Sequence, residues 1–184
     1  MVGLLYGVTG SGKTAVFLHV IRHVLTVGKG VIVTVPEISL TPQTLAVFTA
    51  AFGDTVAVFH SGLSVGERMD EWKRLKSGRA RVVLGTRSAV FAPCSNIGLI
   101  VMDEEQESTY KSESTPRYHA RDIAKFRVNY NRAYCLLCSA TPSVESYYMA
   151  QSGKYRYHAL HHRYGDAVVP TVQLVDMNNE DLYR

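Results

Sequence analysis

The stretch Gly7-Val8-Thr9-Gly10-Ser11-Gly12-Lys13-Thr14 matches the spacing G-x-x-x-x-G-K-[ST] at every fixed position. Its glycines let the backbone turn so that successive N–H groups point into one concave nest, which suits phosphate oxygens. We expect Lys13 to reach the β and γ phosphates of ATP and the Thr14 hydroxyl to bind Mg²⁺. The predicted nucleotide-binding residues are Gly7, Thr9, Gly10, Ser11, Gly12, Lys13 and Thr14.

The residues around this motif provide the setting that it requires. Residues 3–6 form a short apolar run typical of a strand, and apolar side chains then recur at i, i+3 and i+4 in a predicted helix that starts near Ser11. Gly28 would end that helix as a C-terminal cap. A glycine-rich surface turn could match the spacing by chance, but the strand before it and the helix behind it favour a phosphate-binding loop.

Strand and helix patterns alternate along the rest of the chain. Predicted strands follow at 31–35, 56–59, 82–84, 99–102 and 134–138, with weaker candidates at 155–160 and 172–175. Predicted helices start at the Thr41 cap before Pro42, at a capping box of Ser64 and Glu67, at residue 121, and at Thr141 with Pro142. The helix behind Ser64 would turn Val65, Met69, Trp72 and Leu75 to one face.

This alternation predicts an α/β fold, with a doubly wound and mostly parallel sheet of about six or seven strands. We expect residues 1–177 to form one domain and residues 178–184 to be a tail or the start of a linker. Ligands of such sheets bind at the carboxyl ends of the strands. The loops at 7–14, 36–42, 60–64, 85–89, 103–106 and 139–141 should therefore share one edge.

The composition permits several functions and excludes few. The chain has 184 residues, 46% of them hydrophobic, and no apolar run long enough to span a bilayer or signal pattern at its start, so we expect a soluble, intracellular protein. Its net charge of +4 is compatible with an anionic partner but does not require one. The three cysteines are Cys94, Cys135 and Cys138, and the last two fall in a predicted buried strand, which favours a structural role.

An acidic tetrapeptide, Asp103-Glu-Glu-Gln106, directly follows the apolar run at 99–102. Asp103 would hold Mg²⁺ through its water shell, and Glu104 would orient and deprotonate the attacking water. Taken alone, the tetrapeptide is more typical of an acidic turn or a helix start. Its place about 90 residues after the phosphate-binding loop, behind a buried strand, favours the catalytic interpretation.

Three further loops are weak signals individually. Residues 36–43, 85–89 and 139–142 could each be an ordinary turn from a strand to a helix. The hydroxyls of Thr41 and Thr86, the backbone N–H groups around them and the guanidinium of Arg87 would suit the phosphates of a single nucleic-acid strand.

Taken in order, GVTGSGKT, PEISLTPQ, GTRSA, DEEQ and SATP resemble the motor core of superfamily 2 helicases. The sequence around these motifs is similar to that of bacterial replication-restart helicases, most specifically at residues 103–111 and 116–122. The resemblance runs over about residues 4–176. It implies a RecA-like first motor lobe in which Lys13, Asp103 and Glu104 support hydrolysis. It also implies that Gln106, Ser139 and Thr141 couple the ATP site to DNA, although members of this family carry His where this chain has Gln106.

The same resemblance implies a DNA-sensing aromatic loop. Its residues would be Tyr110, Lys111, Pro116, Arg117, Tyr118 and His119, which offer rings for stacking and cations for phosphates. A packed tyrosine cluster is the alternative, because tyrosines occur throughout this chain.

Cofactors and partners follow from the resemblance as well. It implies ATP and Mg²⁺ for this lobe, zinc only in a later part of the protein, and single-stranded and forked DNA as substrates. Primosome proteins and single-strand binding protein would be partners in the bacterial cytoplasm. Since a second lobe would supply an arginine for catalysis, we expect the lobe to be inactive by itself.

Two other functions remain open at this point. The chain could be a different class of P-loop enzyme, although it has neither the Asn-Lys-x-Asp of GTPases nor the Leu-Ser-Gly-Gly-Gln of transporter ATPases. It could also be a nucleotide-binding interaction module without turnover, which an ATPase assay would distinguish from a motor.

Overall fold

A computed structural model describes residues 1–163 of the chain. In this part of the chain, seven strands form one sheet in the order β3-β4-β2-β5-β6-β1-β7, and every neighbouring pair is parallel. The strands are β1 Val2–Gly7, β2 Gly30–Thr34, β3 Val56–Phe59, β4 Val82–Gly85, β5 Ile97–Met102, β6 Tyr134–Ser139 and β7 Arg156–Leu160. The α/β prediction is thus confirmed, while the predicted strand at 172–175 and the tail at 178–184 lie outside the described residues.

Within residues 1–163, five α-helices cover the two faces of the sheet. They are α1 Lys13–Thr26, α2 Pro42–Phe52, α3 Val65–Lys76, α4 Ala120–Tyr130 and α5 Val144–Gln151. Short 3₁₀ segments occupy Glu37–Ser39, Gly53–Thr55, Arg87–Phe91 and Ser108–Tyr110. No helix in the described part of the chain is long and apolar enough to cross a membrane.

The core consists of two apolar layers, one on each face of the sheet. Phe17 and Phe48 bring α1 and α2 onto one face, and Leu75 and Ala124 bring α3 and α4 onto the other. All five residues of β2 are buried, as expected for a strand covered on both sides. This arrangement is the doubly wound architecture that the sequence predicts.

Local signals explain most of the helix boundaries. The Thr41 hydroxyl accepts the Thr44 N–H at 3.2 Å, and the capping box of Ser64 and Glu67 is present in full. Gly28 has φ 74° just past the end of α1, where its N–H and that of Lys29 bond back to the last turn. These contacts confirm the predicted caps.

The start of the last helix needs correction, and the apolar face predicted for α3 is mostly exposed. The last helix starts at Val144 with Ser143 as its cap, because the Ser143 hydroxyl accepts the Ser146 N–H, whereas Thr141 lies before the helix. On α3 only Leu75 is in the core, while Val65 is 83% exposed and Trp72 is 42% exposed. The helix packs on β3, which is an edge strand of the sheet, and its first two turns are exposed.

The cysteines are structural within this fold. All three are buried and free, and Cys135 and Cys138 point to opposite faces of β6. Burial raises the pKa of Cys135 to about 12, so this thiol stays protonated and unreactive near neutral pH. The prediction of a structural role is consistent with this burial.

Candidate functional site

The phosphate-binding loop has the backbone that its glycines predict. Gly10 and Gly12 lie in the left-handed region at φ 81° and 88°, and a Cβ on Gly7 would lie 2.4 Å from the Ser11 hydroxyl oxygen. Lys13 is 9% exposed and its Nζ donates to the Gly7 carbonyl at 2.7 Å. Among the described residues, the buried Ser11 hydroxyl has no hydrogen-bond partner. A nest with a buried cation and an unpaired hydroxyl fits the phosphates of a nucleotide.

Asp103 lies beside this loop at the end of β5, where its N–H continues the sheet by donating to the Thr34 carbonyl. Burial, followed by the neighbouring Glu104 carboxylate, raises the pKa of Asp103 to about 6. The Glu104 N–H and the charge of Lys13 act in the opposite direction. A divalent cation would oppose this upward shift by favouring the ionised form of Asp103, and Thr14, exposed in the first turn of α1, could be a second protein ligand of such a cation.

The predicted coupling residues form a continuous hydrogen-bonded chain. Glu104 adopts φ 45°, and its carboxylate accepts the Gln106 side-chain N–H at 3.0 Å. The Gln106 carbonyl accepts the Ser139 hydroxyl at 2.6 Å, and the Ser139 oxygen accepts the Thr141 N–H at 2.8 Å. Because an amide both donates and accepts, Gln106 can connect Glu104 to the end of β6 without carrying a charge.

Glu105 is a buried neighbour of the site, and the family resemblance indicates no role for it. It is 1% exposed and points away from Glu104, into the base of α4 and α5. Its carboxylate accepts hydrogen bonds from Arg121, Ser143 and Ser146. The tetrapeptide itself contained a signal for this role. Three consecutive acidic side chains in a buried loop cannot all face the same ligand, so one of them needs a separate cationic partner elsewhere in the protein.

Residues 107–119 form a folded loop beside the acidic tetrapeptide. Lys111 and His119 pair as an antiparallel bridge, and the Ser112 N–H donates to the Tyr118 carbonyl at 2.7 Å. Arg87, in the loop after β4, donates from Nη1 to the carbonyls of Thr109 and Lys111 at 3.0 and 2.6 Å. Arg87 therefore joins the loop after β4 to the aromatic loop, residues 107–119, and the two loops form one continuous surface.

That surface carries rings and cations at its outer side. Tyr118 is half-buried and packs edge to face on the exposed Phe91, with the two ring centroids 4.9 Å apart. The Arg87 guanidinium lies 5.9 Å from the centroid of the Tyr118 ring. Lys111 and Arg117 are exposed. These side chains can reach a bound strand, although Arg87 already uses one of its nitrogen atoms to hold the loop.

Two predicted DNA contacts need correction. Tyr110 is 1% exposed and its hydroxyl donates to the carbonyls of Thr34 and Asp103 at 3.0 and 2.6 Å, so its ring packs in the core and cannot stack on a base. Thr86 is 3% exposed, which leaves its side chain out of reach. His119 is half-buried and caps α4 by accepting the Arg121 N–H at Nδ1, and burial, followed by Arg121, lowers its pKa; its contact with DNA stays a prediction. Thr41 remains exposed beside its helix.

Sequence comparison agrees with this geometry. The model of the DEAD/DEAH box helicase family matches residues 3–150. The chain is 52% identical to the replication restart protein PriA of Bacillus subtilis over 177 residues, covering 96% of this chain and 22% of that protein. It is 44% identical to PriA of Haemophilus influenzae, covering 98% of this chain and 25% of that protein. The chain thus spans about a quarter of the length of these relatives.

Solved structures with the same fold include RecG and a helicase domain. The chain superposes on RecG bound to a three-way DNA junction with a TM-score of 0.61 and 23% identity, covering 86% of this chain and 20% of RecG. It superposes on the Hef helicase domain of Pyrococcus furiosus with a TM-score of 0.58 and 18% identity, covering 86% and 35% of the two chains. At such identities the likeness concerns the fold.

Proposed function

The chain belongs to the DEAD/DEAH box helicase family, and we propose that it is the ATP-binding motor lobe of an ATP-dependent DNA helicase that restarts stalled replication forks. The observation that carries this proposal is the chain of hydrogen bonds from Glu104 through Gln106 and Ser139 to Thr141. It connects the acidic loop, beside the phosphate-binding nest, with the neighbouring strand end. A simple nucleotide-binding module has no need of such a connection.

The nest orients the nucleotide in this proposal. Lys13 leaves the Gly7 carbonyl and donates to the β and γ phosphate oxygens, while the backbone N–H groups of the loop hold the same phosphates. Thr14 and, through its water shell, Asp103 would hold Mg²⁺, which would neutralise phosphate charge that develops during transfer. The unpaired Ser11 hydroxyl offers one further donor at the base of the nest.

Glu104 is the proposed general base. Its carboxylate orients the attacking water and accepts its proton, and the Gln106 amide fixes that carboxylate from the other side. The residues in this chain of bonds lie at the carboxyl ends of two neighbouring strands, β5 and β6. A displacement of Thr141 is therefore transmitted to the group that takes the proton.

DNA binds along the same edge of the sheet in this proposal. Tyr118 stacks on a base, Lys111, Arg117 and Arg87 meet phosphates, and Thr41 bonds the strand from the loop after β2. By the resemblance to PriA, the whole protein acts on single-stranded and forked DNA, with primosome proteins and single-strand binding protein as partners in the bacterial cytoplasm. Any zinc belongs to parts of the protein beyond this lobe.

ATP turnover in the intact protein tests the proposal. We expect phosphate release that single-stranded DNA stimulates, and a Glu104→Gln variant that still binds MgATP but has lost about 10²-fold or more in rate, since its amide cannot take the proton. Asp70→Asn, on the exposed outer side of α3, is the control and should keep both properties. MgATP binding without turnover in the wild type would favour the interaction module instead.

A further inference from the structure

Glu105 stands at the centre of a buried polar cluster that joins three parts of the fold. Its Oε1 accepts the Ser143 N–H at 2.7 Å, and its Oε2 accepts Arg121 Nη1 at 3.0 Å and the Ser146 hydroxyl at 2.9 Å. The same Arg121 nitrogen lies 2.9 and 3.1 Å from the hydroxyls of Ser143 and Ser146. The acidic loop, the start of α4 and the start of α5 are thus held by one carboxylate.

The burial of this pair argues against a purely stabilising role. The Glu105 side chain is 0% exposed and that of Arg121 is 16% exposed. Replacing a buried ion pair by apolar groups of similar size is often neutral or stabilising, and the best supported use of such pairs is to fix one geometry among several. The cluster has the short, multiple contacts that such a function requires.

The position of the pair in the chain indicates which geometry it fixes. Glu105 and Arg121 flank residues 106–120, the segment that carries Lys111, Arg117 and Tyr118. The bridge between Lys111 and His119 closes this segment further out. The ion pair therefore forms the base of the loop that is proposed to contact DNA.

The residues that precede and follow Glu105 in the sequence belong to the proposed ATP site. Its N–H donates to the Cys138 carbonyl at 3.0 Å, and its neighbours Glu104 and Gln106 begin the hydrogen-bonded chain to Ser139. A shift of the loop base by a fraction of an ångström would move Glu104 relative to the strand ends. Such a displacement is enough to change the rate of a proton transfer that depends on orientation.

We propose that Glu105 and Arg121 are positioning residues that transmit the binding of DNA at residues 107–119 to the general base Glu104. The inference rests on the proposed function and adds to it the pathway between the two ligands. Arg121 lies at the start of α4, directly after the loop, and a displacement of Arg121 would reach Glu105 through the ion pair and the two shared serines. Neither residue touches nucleotide or DNA, so both act through their neighbours.

The test compares DNA stimulation with the rate in the absence of DNA, in the intact protein. For Glu105→Gln we expect a basal ATPase rate, a KM for ATP and an affinity for single-stranded DNA that stay within about twofold of wild type. Stimulation by saturating DNA should fall by about tenfold or more, because the coupling between the sites is lost. Fluorescence anisotropy measures the DNA affinity, and phosphate release measures both rates.

Glu71→Gln provides a matched control. Glu71 forms another short ion pair among the described residues, with Arg74 at 2.7 Å on α3, and it also accepts a backbone N–H from Val58. This variant loses a carboxylate of similar connectivity far from the acidic loop. It should keep full stimulation by DNA, even where its melting temperature falls as much as that of Glu105→Gln.

Arg121→Lys decides the question if Glu105→Gln does not fold. A lysine keeps the positive charge but cannot reach Glu105 and both serines at once, so stimulation should fall by about threefold or more at an unchanged basal rate. Equal stimulation of variant and wild type would overturn the inference alone. So would a parallel loss of basal and stimulated rates, which is the signature of a merely structural pair. A wild-type protein that DNA does not stimulate would overturn the proposed function itself.

Discussion

The Lys13 Nζ atom donates to the Gly7 carbonyl oxygen at 2.7 Å, across the mouth of the phosphate-binding loop. The loop is thereby closed on itself around a cation that is 9% exposed. This contact keeps the lysine in position, because the buried ammonium keeps an acceptor until phosphate oxygens replace it. The free loop is therefore organised for its ligand before the ligand arrives.

Lys13→Ala should lower the affinity for MgATP by on the order of 100-fold, since hydrogen bonds to charged groups contribute about 1.5–3 kcal/mol each. Isothermal titration measures the effect. Lys73→Ala is the control, because its side chain is 63% exposed on α3, and it should bind like wild type. Unchanged affinity in Lys13→Ala would refute the assignment of the nest.

Substitution of Tyr110 should lower the stability of the protein, whereas substitution of Tyr118 should weaken DNA binding. Tyr110→Phe removes a buried hydroxyl and leaves the carbonyls of Thr34 and Asp103 without this donor, which should cost about 1–3 kcal/mol of unfolding free energy. Tyr118→Ala should change stability less and should weaken DNA binding by about 1–3 kcal/mol, the usual contribution of one stacked base. Urea unfolding and anisotropy separate the two effects. Weak DNA binding by a stable Tyr110→Phe variant would show that the Tyr110 hydroxyl takes part in DNA binding.

These two tyrosines mark how far the sequence can predict the site. Periodicity and spacing predict the sheet, the caps of α2 and α3 and the nest, because each depends on residues close together in the chain. Whether an aromatic ring faces solvent depends on partners far along the chain. The Tyr110 hydroxyl bonds Thr34, 76 residues away, and Glu105 bonds Ser146, 41 residues away. Both facts follow from the order of the strands, which local patterns do not specify.

The α3 surface illustrates the same point. Spacing alone correctly aligns Val65, Met69, Trp72 and Leu75 on one side of a helix. It cannot tell that β3 is the edge of the sheet, where only Leu75 finds a covering layer. The spacing of apolar residues therefore predicts which side of the helix they occupy, whereas the order of the strands determines whether that side is buried.

Asp103→Asn should stabilise the nucleotide-free protein above about pH 6. Burial raises the pKa of Asp103 from 3.8 to about 6, so the native state binds its proton more tightly than the unfolded state does. The ionised carboxylate thus penalises folding at high pH by up to about 3 kcal/mol, and this penalty disappears as the pH falls from about 6 to 4. Urea unfolding without Mg²⁺ at pH 8 and at pH 4 measures the difference.

The gain in stability from Asp103→Asn should therefore be large at pH 8 and absent at pH 4. MgATP affinity should fall in the same variant, because the amide is a poorer ligand for a hard cation. Asp122→Asn is the control, since this carboxylate is 72% exposed at the start of α4. An Asp103→Asn variant that is destabilised at pH 8 would show that the carboxylate is satisfied by its neighbours in the absence of metal.

The 184-residue chain by itself should fold but turn over ATP far more slowly than the intact protein. A seven-stranded sheet covered on both faces supplies a core of its own. Arginines near the sheet are engaged within the lobe: Arg81 bonds the Leu25 carbonyl, Arg87 bonds Thr109 and Lys111, and Arg127 bonds Val90 and Ala92. We therefore expect the arginine that stabilises the transferring phosphate to come from a second lobe.

In related NTPases such an arginine contributes about 10³ to 10⁵ in rate, or roughly 4 to 7 kcal/mol of barrier. Phosphate release at saturating MgATP and single-stranded DNA, measured for the chain beside the intact protein, checks this expectation, and turnover by the chain within about tenfold of the intact protein would show that this lobe completes its own catalytic site.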